Sequence, residues 1–380
     1  MKKLIGGWVL GMLILSSSIS FAQETGKEIT DRIKKLEDRM ISVDIHGFVD
    51  TYYGYNFNRP DSRLNGLSNF DFRHNDFSVN LAELVISKST SDTVPVGFRI
   101  DLDFGETTDF VHCATFSCPS GHPEAPYKNI QQAYVTWATP IGLTLDAGKF
   151  VTHMGFEVIE SKDNWNYTRS LLFCCAIPYY HAGVRANYTV SDLLFVNGYV
   201  YNGWNNVIEN NGLKTYGAQI GVTPIKMLPI VLNWIGPETV SGLYEKRHVF
   251  DLIGTLNLSD TLSFAVNYDY GTQKSLAAGT AGDTQTYSGI AGYARAAMGN
   301  NAVAVRYEYV SDKDNVMFAT AAGGSKVQEV TVTGETKVGG NLLLRLEYRH
   351  DMADKDIFEK EGATVTDKQD RVVAGIVYSF

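Results

Sequence analysis

The chain has 380 residues, of which 44% are hydrophobic and 20% charged, and its formal net charge is −9. This acidic balance argues against nucleic acid as a partner, because nucleic acids select basic surfaces. Beyond residue 22 the sequence contains no apolar run of about 18 residues or more, which excludes a bundle of membrane-spanning helices, since each such helix needs about 20.

The first 22 residues have the pattern of a secretory signal. Lys2 and Lys3 are positively charged, residues 4–15 are apolar with interrupting glycines, and Ser20-Phe21-Ala22 is a small-x-small cleavage site. We therefore expect residues 1–22 to be a signal peptide that is removed on export.

Residues 23–42 contain the one clear helical pattern. Ile29, Ile33, Leu36 and Met40 follow at spacings of 4, 3 and 4 and form one apolar stripe. Two heptads are too short to predict a coiled coil. We expect a short amphipathic helix or linker. If the strands that follow form an outer-membrane barrel, this helix would be periplasmic. Two roles then stay open for it: it plugs the barrel or joins neighbouring chains, or it rests on the barrel mouth.

From Val43 onward the hydrophobic period changes to two. The last strand shows it best, because Val372, Ala374, Ile376, Tyr378 and Phe380 alternate with Arg371, Val373, Gly375, Val377 and Ser379. A strand whose lipid face ends in Tyr378 and Phe380 is typical of outer-membrane barrels, where aromatic girdles lie at the membrane interfaces. These two residues are the predicted signature for the barrel-assembly machinery. Alternation alone also fits a soluble sandwich.

The lengths of the connections separate these two fold classes. Very short connections, such as Ser191-Asp192 and Ser259-Asp260, alternate with long ones, such as 106–127 and 151–177. This asymmetry predicts an all-β, transmembrane antiparallel barrel of about 16 strands over residues 43–380, wide enough for an aqueous channel. The predicted strands are 43–57, 75–88, 94–105, 128–139, 141–150, 178–191, 192–205, 212–224, 228–236, 247–258, 261–272, 284–298, 301–311, 325–337, 340–351 and 370–380.

Four cysteines in an exported chain suggest disulfide bonds. Cys113 and Cys118 share one loop, and we expect them to pair. His112 and His122 lie nearby, but the C-x4-C-x3-H spacing is not a usual zinc pattern, so we expect no metal and no cofactor. For the adjacent pair Cys174-Cys175, a vicinal bridge and pairing with the other loop both stay open.

Several segments resemble the outer-membrane β-barrel porins of the OmpL-like type. They include GFVDTYYGYNFNRP (47–60), ESKDNWNYTRSLLF (160–173), YYHAGVRANY (179–188) and LLLRLEYRHD (342–351). The similarity spans nearly the whole chain after the signal peptide. It implies a porin without enzymatic activity, and Cys174-Cys175 departs from the pattern.

The connection 151–177 is the third long loop, and in general porins the third loop folds inward. By that analogy its charged residues would face arginines on the lumen wall, and the resulting transverse field would filter solutes at a constriction. The alternative is that the loop lies outside and these charges solvate a wide lumen. The predicted constriction residues are Glu157, Glu160, Asp163 and Arg169 on the loop and Arg99, Arg185, Arg306 and Arg345 on the wall.

Together these observations predict an outer-membrane porin of a Gram-negative-type cell, in contact with outer-membrane lipid and able to form a homotrimer. It would form a water-filled channel for passive diffusion of small hydrophilic solutes and ions. One alternative is an adhesin or partner-binding barrel that uses its long loops. The other is a barrel hydrolase built on His153 or His181, although no G-x-S-x-G, H-E-x-x-H or phosphate-loop motif is present.

Overall fold

Sixteen antiparallel strands close into one barrel, which confirms the predicted fold class. The computed structural model describes residues 29, 32, 43–113, 119, 121–238, 244–275 and 282–380. The barrel strands are β1 (Asp44–Asn56), β2 (Asp76–Lys88), β3 (Val96–Phe104), β4 (Ile130–Ala138), β5 (Leu143–Val151), β6 (Tyr180–Ser191), β7 (Leu194–Tyr201), β8 (Thr215–Val222), β9 (Ile230–Glu238), β10 (Tyr244–Asn257), β11 (Leu262–Ser275), β12 (Thr284–Met298), β13 (Asn301–Asp312), β14 (Ser325–Val338), β15 (Leu342–Ala353) and β18 (Lys368–Ser379).

Each predicted strand overlaps one barrel strand. The predicted signal peptide (1–22) and the segment 23–42 lie outside the described residues, except that Ile29 and Arg32 are helical. The elements that were not predicted lie in long connections, and they include a hairpin of β16 (Phe358–Lys360) and β17 (Thr364–Thr366) and helix α1 (Glu106–Cys113). No helix in the described part of the chain is long and apolar enough to cross a membrane.

The two faces of the barrel wall differ in polarity in the sense expected for a membrane barrel. On β11, the outward Val266 and Tyr268 are 37% and 41% exposed, whereas the inward Asn267 and Asp269 are 3% and 0% exposed. A soluble sandwich would bury its apolar face and expose its polar face. The structure has the opposite arrangement, so the outer surface suits lipid.

The first and last strands close the barrel. Strand β1 pairs antiparallel with β18, and beyond the end of β18 the Phe380 N–H donates to Gly47 O (3.0 Å) while the Gly47 N–H donates to Phe380 O (3.1 Å). Tyr378 and Phe380 are half-exposed on the outer wall. The C-terminal residue thus completes the hydrogen-bond ladder as well as the apolar surface.

Most of the short connections lie at one rim of the barrel, and the three longest lie at the other. Antiparallel strands that follow each other along the chain are joined alternately at the two rims, so every second connection lies at the same rim. We name the long ones by their order: loop L1 is residues 57–75, loop L2 is residues 105–129 and contains α1, and loop L3 is residues 152–179. These three loops contain the candidate site.

Candidate functional site: the loops inside the barrel

Loop L3 is fastened to the inner wall through its own backbone. The carboxylate of Glu308 on β13 accepts hydrogen bonds from the N–H groups of Leu171 (2.6 Å) and Leu172 (2.8 Å). The carboxylate of Glu347 on β15 accepts one from the N–H of Tyr167 (2.5 Å). Charge-assisted bonds of this kind are stronger than neutral ones. They also satisfy backbone groups that would otherwise be buried without partners.

Arginines of the inner wall also donate hydrogen bonds to the same loop. Arg306 donates to the carboxylate of Glu157 (2.7 Å) and to the carbonyl oxygen of Thr168 (2.7 Å). Arg345 donates to the carbonyl oxygen of Asn164 (2.6 Å). Loop L3 therefore lies inside the barrel, against the wall formed by β13 to β15.

A row of alternating charges connects L3 to L1 along this wall. We call it the charge ladder. Its members, in order, are Glu157 of L3, Arg306 of β13, Glu329 of β14, Arg349 and Asp351 of β15, Arg371 of β18 and Asp71 of L1. The successive nitrogen–oxygen distances are 2.7, 2.5, 3.3, 2.8, 3.1 and 2.5 Å. All seven side chains are buried, so each charge depends on its neighbours for compensation.

Loops L1 and L2 also turn into the barrel. Phe70 of L1 packs against the rings of Phe173 and Tyr179 at 5.7 Å, and the guanidinium of Arg169 lies over the Phe70 ring at 4.6 Å. Burial lowers the pKa of Arg169. In L2, His112 of α1 stacks on a wall tyrosine of β6, and burial lowers the pKa of His112 to about 3. Three loops, rather than one, fill this end of the lumen.

The structure corrects the expected arrangement of one predicted pair. Glu157 and Arg306 were expected to face each other across water, but they are in direct contact and their side chains are only 2% and 0% exposed. Arg345 is likewise buried beneath the loop. These charges hold L3 in place instead of acting across an open gap, because burial beneath L3 brings the opposite charges together.

The two other predicted wall arginines pair with carboxylates on the wall itself. Arg99 contacts Asp101 (2.9 Å) on its own strand, and Arg185 contacts Asp146 (2.7 Å) on the neighbouring strand β5. Neither arginine forms an ion pair with L3 within the described residues. The sequence showed that they point inward, but it could not show which carboxylate each one meets.

The remaining predicted acids of L3 face away from the arginines. Asp163 pairs with the adjacent Lys162 (2.5 Å), and its side chain is 55% exposed. Glu160 interacts with Glu83 of β2 and Asp103 of β3, which are also acidic. Burial, together with nearby negative charge, raises the pKa of Glu160. Glu160 therefore lies in an acidic environment, opposite to the one expected.

The structure shows the disulfide pairing of one of the two cysteine pairs. Cys174 and Cys175 form a disulfide with each other, within a π-helical turn at Leu172–Ala176. Cys113 is also disulfide-bonded, and its partner lies outside the described residues, so the Cys113–Cys118 pair stays a prediction. Across the described ranges, no group of three or more His, Cys, Asp or Glu side chains is arranged to hold a metal ion.

Sequence reasoning missed several residues that fasten the loops. They are Asp50, Asp71, Glu308, Glu329, Glu347, Asp351 and Arg371. Most of them lie on the polar phase of a barrel strand, which is the signal that could have marked them as inward-facing. Asp71 lies in L1 and carries no such signal.

The comparisons with known proteins agree with this architecture. An anion-selective porin from Comamonas acidovorans superposes with a TM-score of 0.59 at 13% identity, covering 89% of this chain and 99% of that one. The outer membrane protein OmpT of Vibrio cholerae superposes with a TM-score of 0.56 at 13% identity, covering 89% of this chain and 97% of that one. A trimer form of OmpT from the same organism superposes with a TM-score of 0.56 at 12% identity, covering 89% of this chain and 99% of that one. At these identities the likeness shows the fold alone.

Family membership rests on the sequence. No curated protein matches the chain. The family model described as beta-barrel porin-2, OmpL-like, matches residues 42–380, which is the whole barrel. The chain therefore belongs to the OmpL-like beta-barrel porin-2 family and is an outer-membrane porin.

Proposed function

We propose that this porin is a water-filled channel for passive diffusion of small hydrophilic solutes and ions, and that loop L3 forms its constriction. The observation that carries the proposal is the fastening of L3 to the inner wall, by carboxylates that bind its N–H groups and arginines that bind its carbonyls. Charge-assisted bonds are strong, so they hold the loop inside the barrel, where it narrows the lumen.

The wall that L3 leaves uncovered suits hydrophilic solutes. Its inward side chains keep partial exposure and are polar or charged: Arg99, Arg185, Asn187 and Asn197. On the wall beneath L3, by contrast, the members of the charge ladder are buried and paired with one another. Solutes would therefore pass along the inward side chains of strands β3 and β6 and the Asn197 part of β7, in contact with polar groups that replace part of their hydration.

The histidines considered for a hydrolase have other roles. His153 of L3 stacks on Tyr199 at 4.3 Å and bonds Tyr201 Oη (3.0 Å) and Trp234 O (3.2 Å). His181 stacks on Tyr201 at 4.0 Å. In the described ranges neither histidine pairs with a serine or an acid. These contacts support a non-enzymatic channel, since a triad needs a nucleophile and an orienting acid beside its histidine.

Export and assembly complete the proposal. The signal pattern of residues 1–22 supports cleavage after Ala22. The apolar outer wall supports direct contact with outer-membrane lipid. By analogy with the trimer form of OmpT, we propose a homotrimer for this chain. Chemical cross-linking of the folded protein in detergent tests the last point, with a trimer band expected and a monomer band alone contradicting it.

Reconstitution in a planar bilayer tests the channel itself. The folded protein, verified by its heat-modifiable mobility in SDS, should produce discrete conductance steps, and a boiled sample of the same preparation should produce none. A salt gradient across the bilayer then gives the ion selectivity. Folded protein that inserts into bilayers without conducting would overturn the proposal.

A further inference from the structure

One acidic cluster in the lumen belongs neither to the charge ladder nor to any ion pair among the described residues. Glu83 of β2 and Asp103 of β3 are cross-strand partners, so their side chains point inward side by side. Like charges placed directly opposite on adjacent strands destabilise a sheet. Glu160 of L3 supplies a third carboxyl near this pair, because its neighbour Ser161 donates a hydrogen bond to Asp50 (2.7 Å) of β1, the strand beside β2.

The carboxyls of Glu83 and Asp103 are buried and incompletely bonded. Glu83 is 5% exposed and Asp103 is 1% exposed, and Glu83 Oε2 and Asp103 Oδ1 have no hydrogen-bond partner within the described residues. Because ionised carboxylates only accept hydrogen bonds, two neighbouring carboxyls can bond to each other only when one of them carries a proton.

The charged groups around the cluster form their direct contacts with other partners. From β3, Asp101 faces the cluster, and it pairs with Arg99. From L3, Lys162 faces it but pairs with Asp163. From β5, Lys149 bonds His112 and the carbonyl oxygen of Ile130. On the β1 side, the residue in register with Glu83 is Phe48, which is apolar. Within the described residues, the orphaned oxygens are therefore open to a small cation.

We propose that Glu83, Asp103 and Glu160 form a proton-binding site that fastens the Glu160 segment of loop L3 to strands β2 and β3, and that loss of the proton releases this segment while the bonds of L3 to β13–β15 persist. A proton fits better than a metal ion, since no three acidic or histidine side chains in the described ranges have metal-binding geometry. On release, the O–H bond breaks and the proton passes to lumen water. The carboxylates then repel one another, and Glu160 is the one carried by a loop.

The inference rests on the proposed channel function, since conductance reports the position of L3. Single-channel conductance should rise as the pH is raised from acidic to alkaline values, because buried carboxyls close to one another lose their protons less readily than exposed ones. The preference for cations should rise with it. Glu83→Gln mimics the protonated form, so it should keep the low-pH conductance throughout. The control is Asp109→Asn, which alters a carboxylate of α1 paired with Lys128 (2.6 Å). This variant should keep the wild-type rise in conductance with pH.

Infrared spectroscopy of the wild-type porin provides a readout that needs no variant. A protonated-carboxyl band should be present at the lower pH and absent at the higher one, and the chelator EDTA should change neither the band nor the conductance. The inference would be overturned by a conductance that does not change with pH, by a change with pH that survives Glu83→Gln, or by the absence of the band. A pH-dependent conductance that EDTA abolishes would also overturn it, in favour of a metal ion. Absence of any conductance would instead overturn the proposed function.

Discussion

Arg306 and Glu157 form a buried ion pair at 2.7 Å that joins wall strand β13 to loop L3. The same guanidinium binds Glu329 and the carbonyl oxygen of Thr168, so Arg306 compensates two carboxylates at once. A buried ion pair adds little stability compared with apolar packing, but removing one partner leaves a buried charge that is costly. The pair therefore fixes the position of the loop more than it stabilises the barrel.

Replacing Arg306 should be strongly destabilising. Arg306→Gln leaves Glu157 and Glu329 without their cation, which we expect to lower the free energy of unfolding by about 3–5 kcal/mol. Urea titration followed by heat-modifiable mobility measures this change. The control is Arg295→Gln, because Arg295 pairs with Glu335 at 3.0 Å but is 28% exposed, and its loss should cost about 0–1 kcal/mol. Equal effects of the two substitutions would contradict the role given to Arg306.

The charge ladder should couple its two ends. Asp71 of L1 contacts Arg371 (2.5 Å) at one end, and Glu157 of L3 contacts Arg306 at the other. A double-mutant cycle of Asp71→Asn and Glu157→Gln should give an interaction energy above about 0.5 kcal/mol, although the two residues lie on different loops. Glu361→Gln, which removes an exposed partner of Arg59, is the control and should be additive with Glu157→Gln. Additivity of both pairs would show that the ladder is not one unit.

Ion selectivity should depend on the acids of L3 unequally. Replacing Glu157, Glu160 and Asp163 with Gln, Gln and Asn should shift the reversal potential in a salt gradient toward anions. Asp163→Asn alone should give much of this shift, because Asp163 is 55% exposed, whereas Glu157 is neutralised by Arg306. The shift should shrink as salt is raised, since exposed charges are screened. An unchanged reversal potential in the triple variant would place the constriction elsewhere.

The last strand should control assembly. Deleting Phe380 removes the mutual backbone hydrogen bonds with Gly47 and the end of the outer aromatic surface. We expect less protein in the outer-membrane fraction, as measured by the ratio of folded to unfolded bands. Val365→Ala, an exposed apolar residue of the β16–β17 hairpin, is the control and should assemble normally. Normal assembly without Phe380 would refute the role of the terminal residue.

Acid should weaken the attachment of L3 through His153. Burial lowers the pKa of His153 to about 4, from the ordinary 6.5. The unfolded chain therefore takes up a proton between pH 6.5 and about pH 4 while the folded chain does not, so stability falls as pH falls through that window. Thermal unfolding midpoints at pH 7 and near pH 4.5 should differ, and the difference should be smaller in His153→Gln. An equal acid effect in both proteins would exclude His153 as a contributor.

The strands and their faces follow from the sequence alone, because the period of two is a local property. The alternation of Leu342, Leu344 and Leu346 with Arg345 and Glu347 places the charged residues on one face, and the structure has that face inside. Connection lengths then distinguished a membrane barrel from a sandwich. Helix α1 escaped prediction because it has only eight residues and carries few apolar side chains.

The partners inside the lumen were decided only by the tertiary structure. Glu157 and Arg306 are 149 residues apart, and Tyr167 and Glu347 are 180 apart. No periodicity relates positions so distant, because their meeting depends on barrel closure, on strand register and on the path that L3 takes through the lumen. The sequence therefore determined which charges point inward. Only the folded chain determined that Glu157 neutralises Arg306 whereas Glu160 joins two other acids, because burial forces each charge to use the partner that the fold brings within contact.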